Sequence, residues 1–238
     1  MAKISKSKKN ALCQPVLKWV GGKRQLLPEI MRVLPDKITT YYEPFIGGGA
    51  LLFALQPKKA VINDYNPELI NLYNVIKFNH LELIEELGKY KNDADYFYMV
   101  RGLDRTDEYQ HMSNIQKAAR IHYLNKTCYN GLYRVNSAGE FNTPFGGYKN
   151  PNIINDVVIK AVHNYFITNE VTILNGDFAD SVQNARKGAF VYFDPPYDPV
   201  SSSASFTGYT DGGFNRDEQV RLKQLCDNLN QRGVKFLL

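Results

Sequence analysis

Asp194-Pro195-Pro196-Tyr197 brings a carboxylate, two proline carbonyls and an aromatic ring together in consecutive residues. Neither proline can donate a backbone hydrogen bond, and the pair stiffens the main chain. The resulting ledge suits a planar ring that bears an amino group. Asp194 and the Pro195 carbonyl can accept from the amine, the Pro195-Pro196 pair keeps the corner rigid, and Tyr197 can stack on the ring. A strand followed by a Pro-rich turn is the plainer reading of the same residues taken alone.

Other stretches carry compatible chemistry. Glu43-Pro44-Phe45-Ile46-Gly47-Gly48-Gly49 puts successive glycines at a strand-to-helix turn, where a ligand can lie against backbone at the helix amino end. The third spaced glycine of a pyrophosphate-binding fingerprint is missing, which disfavours a dinucleotide. Asp64 closes the next strand-like run, Ala60-Val61-Ile62-Asn63-Asp64, where an acid can bind ribose hydroxyls or cap the following helix. Gly176-Asp177-Phe178 sets a carboxylate beside a ring and can hold an adenine by its amino group and its face. Gly21-Gly22-Lys23 precedes a helical pattern, but a phosphate loop would need glycine where Leu17 stands and Ser or Thr where Arg24 stands. A nucleoside triphosphate is therefore excluded, although Trp19 and Lys23 beside these glycines can still meet a small ligand, the lysine through a carboxylate.

The elements that position these groups follow from pattern. Ala189 to Phe193 is an apolar, aromatic and β-branched run that predicts a buried strand ending at the proline corner. Glu170 to Leu174 and Val234 to Leu238 predict further strands, and Arg216 to Gln231 a helix closed by Gly233. Ser201 to Gly213 is too rich in Ser and Gly for packed structure and reads as a mobile flap. Between Pro67 and about Asn164 the character changes to helical patterns joined by aromatic-rich connections. Lys117, Arg120, Lys126 and Arg134 mingle there with Tyr123, Tyr129, Tyr133 and Tyr148, a mixture that suits phosphate contact and base stacking. A solvated helix face plus an ordinary β-hairpin from Leu132 to Phe145 is the competing reading.

Composition narrows the class. The chain has 238 residues, 44% of them hydrophobic and 22% charged, as expected of a globular protein with a substantial core. No apolar run approaches the ~20 residues of a membrane helix, and the basic amino terminus has no apolar segment behind it. A cytoplasmic location with reduced thiols at Cys13, Cys128 and Cys226 is expected, and the scattered His80, His111, His122 and His163 predict no metal site. The net charge of +5 favours a polyanionic partner only mildly.

In this order the motifs resemble the Dam-like adenine-specific DNA methyltransferases, and within them the GATC-type methylases of restriction systems, over Leu17 to Leu238. The resemblance implies S-adenosylmethionine as methyl donor. It also implies an α/β fold with a Rossmann-like, seven-stranded methyltransferase sheet and an inserted, mainly helical DNA-recognition domain. The expected division is residues 1–66 and 166–238 for the catalytic domain and 67–165 for target recognition, with the last strands of the sheet missing after Leu238.

Carried over by position, Trp19 and Lys23 would lie beside the methionine part of the donor. Phe45, Gly47 and Gly49 would form its turn, Asp64 would bind its ribose, and Asp177 and Phe178 its adenine. Asp194, Pro195, Pro196 and Tyr197 would hold a flipped target adenine, with Asp194 also reaching the donor. Arg134 would read a guanine, and Leu132, Asn136, Asn142, Pro144 and Tyr148 would contact other bases or backbone of double-stranded DNA. Protection of host DNA beside a cognate restriction endonuclease is implied as well. A DNA-binding remnant without activity and, less favoured, an enzyme acting on RNA or protein amides are the alternatives.

Overall fold

A computed structural model describes residues 9–19, 21, 23–196 and 214–238. Tyr197 and the stretch read as a flap lie outside them. The strands are β1 (Tyr41–Glu43), β2 (Lys59–Asp64), β3 (Glu170–Asn175), β4 (Phe190–Tyr192) and β5 (Lys235–Leu237). They form one parallel sheet in the order β3-β2-β1-β4-β5, with Tyr41 in register with both Ala60 and Phe190. The resemblance implies seven strands, and the described residues form five.

The helices are α1 (Leu27–Val33), α2 (Ala50–Leu55), α3 (Pro67–Phe78), α4 (His80–Leu87), α5 (Ala94–Gly102), α6 (Asp107–His111), α7 (Asn114–Thr127), α8 (Asp156–Thr168), α9 (Phe178–Ser181) and α10 (Arg216–Gln231). Side chains alternate across a strand, so each strand feeds both faces of the sheet. Tyr41, Ala60, Ile62, Phe190 and Tyr192 enter a large core shared with α2, α3, α7 and α8. Tyr42, Val191 and Phe193 enter a second core with Phe178 of α9 and Leu222 and Leu229 of α10. β1 and β4 are buried on both faces, which explains why the run that includes β4 is continuously apolar. α3 and α8 lie against β2 and β3, and their buried side chains join those of α4, α5 and α7 in the first core.

Local signals set the helix starts. Asn66 accepts from the Glu68 and Leu69 N–H groups ahead of Pro67, and Asn215 does the same for Asp217 and Glu218 at the head of α10. Gly233, at φ +68°, ends the turn after α10.

The order of the sheet decides where a site can form. The order in which strands are added reverses at the parallel neighbours β1 and β4, and loops leaving their carboxyl ends part there into a crevice. The glycine turn follows β1 and the proline corner follows β4.

Candidate active site

The crevice holds a cavity of ≈ 990 Å³, lined by both motifs and by the β3-to-α9 turn. Asn63, 2% exposed, ties the three strand ends together: its Nδ2 donates to the carbonyls of Pro44 at 3.0 Å and Gly176 at 2.9 Å. The turn after β1 is fixed from several sides. Gly47 N–H donates to Asp64 Oδ2 at 3.0 Å, and the buried Tyr73 hydroxyl donates to the Gly47 carbonyl at 2.7 Å.

Its glycines answer to packing as much as to a ligand. A β-carbon on Gly47 would stand 2.7 Å from Trp19 Cδ1, and one on Gly49 would stand 2.8 Å from Phe53 Cε2. Both residues also have positive φ, at +46° and +70°, which an L side chain adopts only under strain. The indole of Trp19 lies against the turn and stacks on Tyr133, with ring centroids 4.9 Å apart.

Trp19, Lys23, Phe45, Gly47, Gly49, Asp64, Asp177, Phe178, Asp194, Pro195 and Pro196 all line this one cavity. At one end Phe45, Phe178 and Phe214 form an aromatic group beside Asp177. Asp64 lies in the middle, its Oδ1 accepting from Asn66 N–H and its Oδ2 from Gly47 N–H. At the other end the Lys23 ammonium donates to the Gly21 carbonyl at 2.9 Å and pairs with Asp194 Oδ1 at 2.7 Å.

The cavity collects acids whose ionisation is resisted. Burial pushes Asp194 above the usual carboxylate range, opposed by the hydrogen bond and charge of Lys23. Burial also raises Asp64, against the Asn66 and Gly47 N–H groups. Glu43, at the end of β1, is pushed up to about 8 by burial, with the Tyr41 hydroxyl opposing and the nearby Asp194 charge adding. The Tyr41 hydroxyl donates to Glu43 Oε2 at 2.7 Å.

Sequence reasoning quoted Glu43 without a role and passed over Phe214, Glu218 and Arg221. Glu43 carried a signal, since it precedes Pro44-Phe45 at a predicted strand end. Arg221 carried none, because its partner Asp177 lies 44 residues earlier.

The segment expected to read DNA forms an irregular hairpin. Antiparallel bridges occur at Val135 to Phe141 and at Cys128 to Phe145. Side chains replace much of the ladder around Pro144, which has no N–H to give: the Thr143 hydroxyl donates to the Leu132 carbonyl at 2.7 Å. Arg134 Nε donates to Asn142 Oδ1 at 2.6 Å. Asn136 Nδ2 donates to Glu140 Oε2 at 2.7 Å, while its Oδ1 accepts from the Ala138 and Glu140 N–H groups. Pro144 accepts from Tyr129 N–H through its carbonyl, and the Tyr148 hydroxyl accepts from Asn130 N–H. These residues flank the cavity through Lys18 and Trp19: Asn125 Nδ2 donates both to the Lys18 carbonyl and to the Gly131 carbonyl.

Arg120 corrects the basic-cluster reading. It is 1% exposed, its Nη2 pairs with Asp104 Oδ2 at 2.7 Å, and its Nε donates to the Val100 carbonyl. α7 is enclosed by α3, α4 and α5, so an arginine on its inner side holds the helices together instead of facing solvent. Tyr123 of the same cluster is likewise fully buried.

The cavity suits the donor that the resemblance implies. An aromatic end with an acceptor carboxylate matches a nucleobase, a central acid matches ribose, and a lysine with open backbone matches an amino-acid moiety. Asp64 fits such a group, since a carboxylate bonded to two N–H groups still has lone pairs for hydroxyl donors.

The chain is similar to several DNA methyltransferases along most of its length. It is 47% identical over 227 residues to Type II methyltransferase M1.LlaDCHI of Lactococcus lactis subsp. cremoris, covering 94% of this chain and 80% of that protein. It is 41% identical to Type II methyltransferase M.MjaIII of Methanocaldococcus jannaschii, covering 94% and 83%. To the DNA adenine methylase of Escherichia coli K12 it is 33% identical, covering 93% and 78%. The model of the D12 class N6 adenine-specific DNA methyltransferases matches residues 19–238. With its parallel Rossmann-like sheet and its motifs gathered at the switch point, the chain belongs to that family.

Proposed function

We propose that the protein methylates the exocyclic amino nitrogen of an adenine flipped out of double-stranded DNA, within GATC, beside a cognate restriction endonuclease. The observation that carries this reading is the single cavity shared by the proline corner and the glycine turn. A corner and a turn on opposite sides of the sheet would have left no path for a methyl group.

When bound, S-adenosylmethionine supplies an electrophilic sulfonium methyl. Phe45, Phe178 and Asp177 would hold its base, Asp64 its ribose, and Trp19 and Lys23 its amino-acid end. The chain's own groups then act on the acceptor. An adenine amine is a poor nucleophile because its lone pair is delocalised into the ring. Hydrogen bonds from that amine to Asp194 and to the Pro195 carbonyl favour a more tetrahedral nitrogen with its lone pair available. Pro195 and Pro196 fix the acceptors in place, so much of the orientational entropy is lost before reaction. Tyr197 is assigned from sequence to stacking on the extruded base. Arg134, held by Asn142, is assigned to a guanine in the major groove.

Transfer of tritium from labelled donor to DNA tests the chemistry, and an Asp194→Ala protein that methylates at the parent rate would refute it. Digestion of exposed plasmid by a nuclease blocked only by methylated GATC tests the sequence. Tritiated DNA that stays cleavable there would retain the chemistry and discard the site.

A further inference from the structure

Helix α10 sends one arginine to the aromatic end of the cavity. Arg221 Nη2 donates to Oδ1 and Oδ2 of Asp177, both at 3.0 Å, and its guanidinium carbon lies 5.1 Å from the centroid of the Phe178 ring. On the other side Nη1 donates to both oxygens of Glu218, at 2.9 and 2.7 Å, one turn back on α10. Arg221 is thus fixed from two directions and spans the gap between α10 and the β3-to-α9 turn. Both residues of the Asp177 pair are partly exposed, 46% for Arg221 and 33% for Asp177, so the pair itself adds little stability. Its consequence lies in the direction it gives the carboxylate.

We propose that Arg221 is a positioning residue that sets which base the donor pocket accepts, by holding Asp177 as a fixed hydrogen-bond acceptor beside the Phe178 ring. This inference rests on the assignment of Asp177 and Phe178 to the donor's adenine. Asp177 Oδ1 also accepts from Ala179 N–H at 2.9 Å, so two donors of the protein define the plane of the carboxylate. A carboxylate so held has lone pairs left and no proton to offer. A purine with an exocyclic amine gains a charge-assisted bond there, whereas one with a carbonyl in the same place meets two acceptors face to face. Without the guanidinium the carboxylate can turn about its Cβ–Cγ bond, and the pocket loses its reason to distinguish the two bases.

Titration calorimetry on the full chain without DNA tests this through binding alone, with S-adenosylhomocysteine and S-inosylhomocysteine as probes. The parent protein is expected to prefer the adenosyl compound by roughly tenfold or more, the size of one hydrogen bond exchanged for an unpaired polar contact. In Arg221→Gln the preference should fall to about threefold or less, through weaker adenosyl binding at nearly constant inosyl binding. A variant that weakens both compounds by one factor, or keeps the parent preference, overturns the proposal and leaves Arg221 as a brace for α10. Should Arg221→Gln fail to fold, Arg221→Lys is read the same way, since a point charge cannot reproduce the fork. Asp177→Asn checks the underlying assignment separately. An amide can donate to a carbonyl, so the preference should collapse or invert; parent preference in that variant removes the adenine assignment itself.

Discussion

The ammonium of Lys23 lies 2.7 Å from Oδ1 of Asp194, joining the loop before α1 to the corner after β4. The pairing acts on the charge of the acid proposed to accept the target amine. Burial drives that carboxyl up and Lys23 opposes it. Replacing the lysine removes the opposing influence, so in Lys23→Met the acid should need a higher pH to ionise. Because the ionised form is the acceptor, methyl transfer is lost as pH falls through this value, and the acid limb of the profile should move upward. A shift of one unit would cut the single-turnover rate about tenfold on that limb. Single-turnover transfer measured from pH 5 to 9 checks it, and an unmoved limb would separate Lys23 from Asp194 ionisation.

Glu43 gives a second pH prediction, on stability. Its folded value of about 8 stands above the ordinary 4.5, so the folded chain holds a proton that the unfolded chain releases between these values. Stability from this group is therefore undisturbed below about pH 4.5, falls as pH rises through that window, and reaches its full cost above about 8. Glu43→Gln keeps an oxygen for the Tyr41 hydroxyl and cannot ionise. Relative to the parent it should gain stability at pH 9 compared with pH 5, on the order of a few kcal/mol. Denaturant melts at the two pH values measure the difference, and parallel changes in both proteins would mean that Glu43 is ionised in the fold.

The glycine turn offers a test of packing. In Gly47→Ala the new methyl would stand 2.7 Å from Trp19 Cδ1, on backbone already at positive φ. A loss of about 1–3 kcal/mol is expected from overpacking and strain together. Adding Trp19→Leu should recover part of it if the indole is the obstacle. Equal stability of the single and double variants would place the whole cost in the backbone.

These sites differ in how far sequence revealed them. The proline corner, the strand before it and the bounds of α10 were legible because each depends on neighbours in the chain: a β-branched run, two prolines and a closing glycine. Their meeting in one cavity also followed, since parallel strands bring their carboxyl ends to one side. Arg120 was misread because composition counts a cation without knowing which side of a helix it faces. The Tyr41 to Glu43 bond was invisible because these residues, two apart on a strand, read as core aromatic and strand-end acid. The Arg221 to Asp177 pair depends on how α10 settles over the second core, which no local pattern encodes. The glycines were located correctly, yet part of their reason, the indole of Trp19, was not apparent.

The hairpin that carries Arg134 is the segment proposed to read DNA. Arg134 is held by Asn142 through Nε to Oδ1 at 2.6 Å and Nη2 to the carbonyl at 3.3 Å. If the guanidinium reads a guanine, Arg134→Ala should cost about 1–3 kcal/mol in transition-state stabilisation on GATC and little on duplexes lacking that guanine. Asn142→Ala leaves the arginine in place without its guide, so the same discrimination should fall by less. Measuring kcat/KM on duplexes with one base pair changed at a time separates this from phosphate contact. A uniform loss across all duplexes, with a shallower dependence on salt, would assign Arg134 to the backbone and leave base reading to other residues of the hairpin.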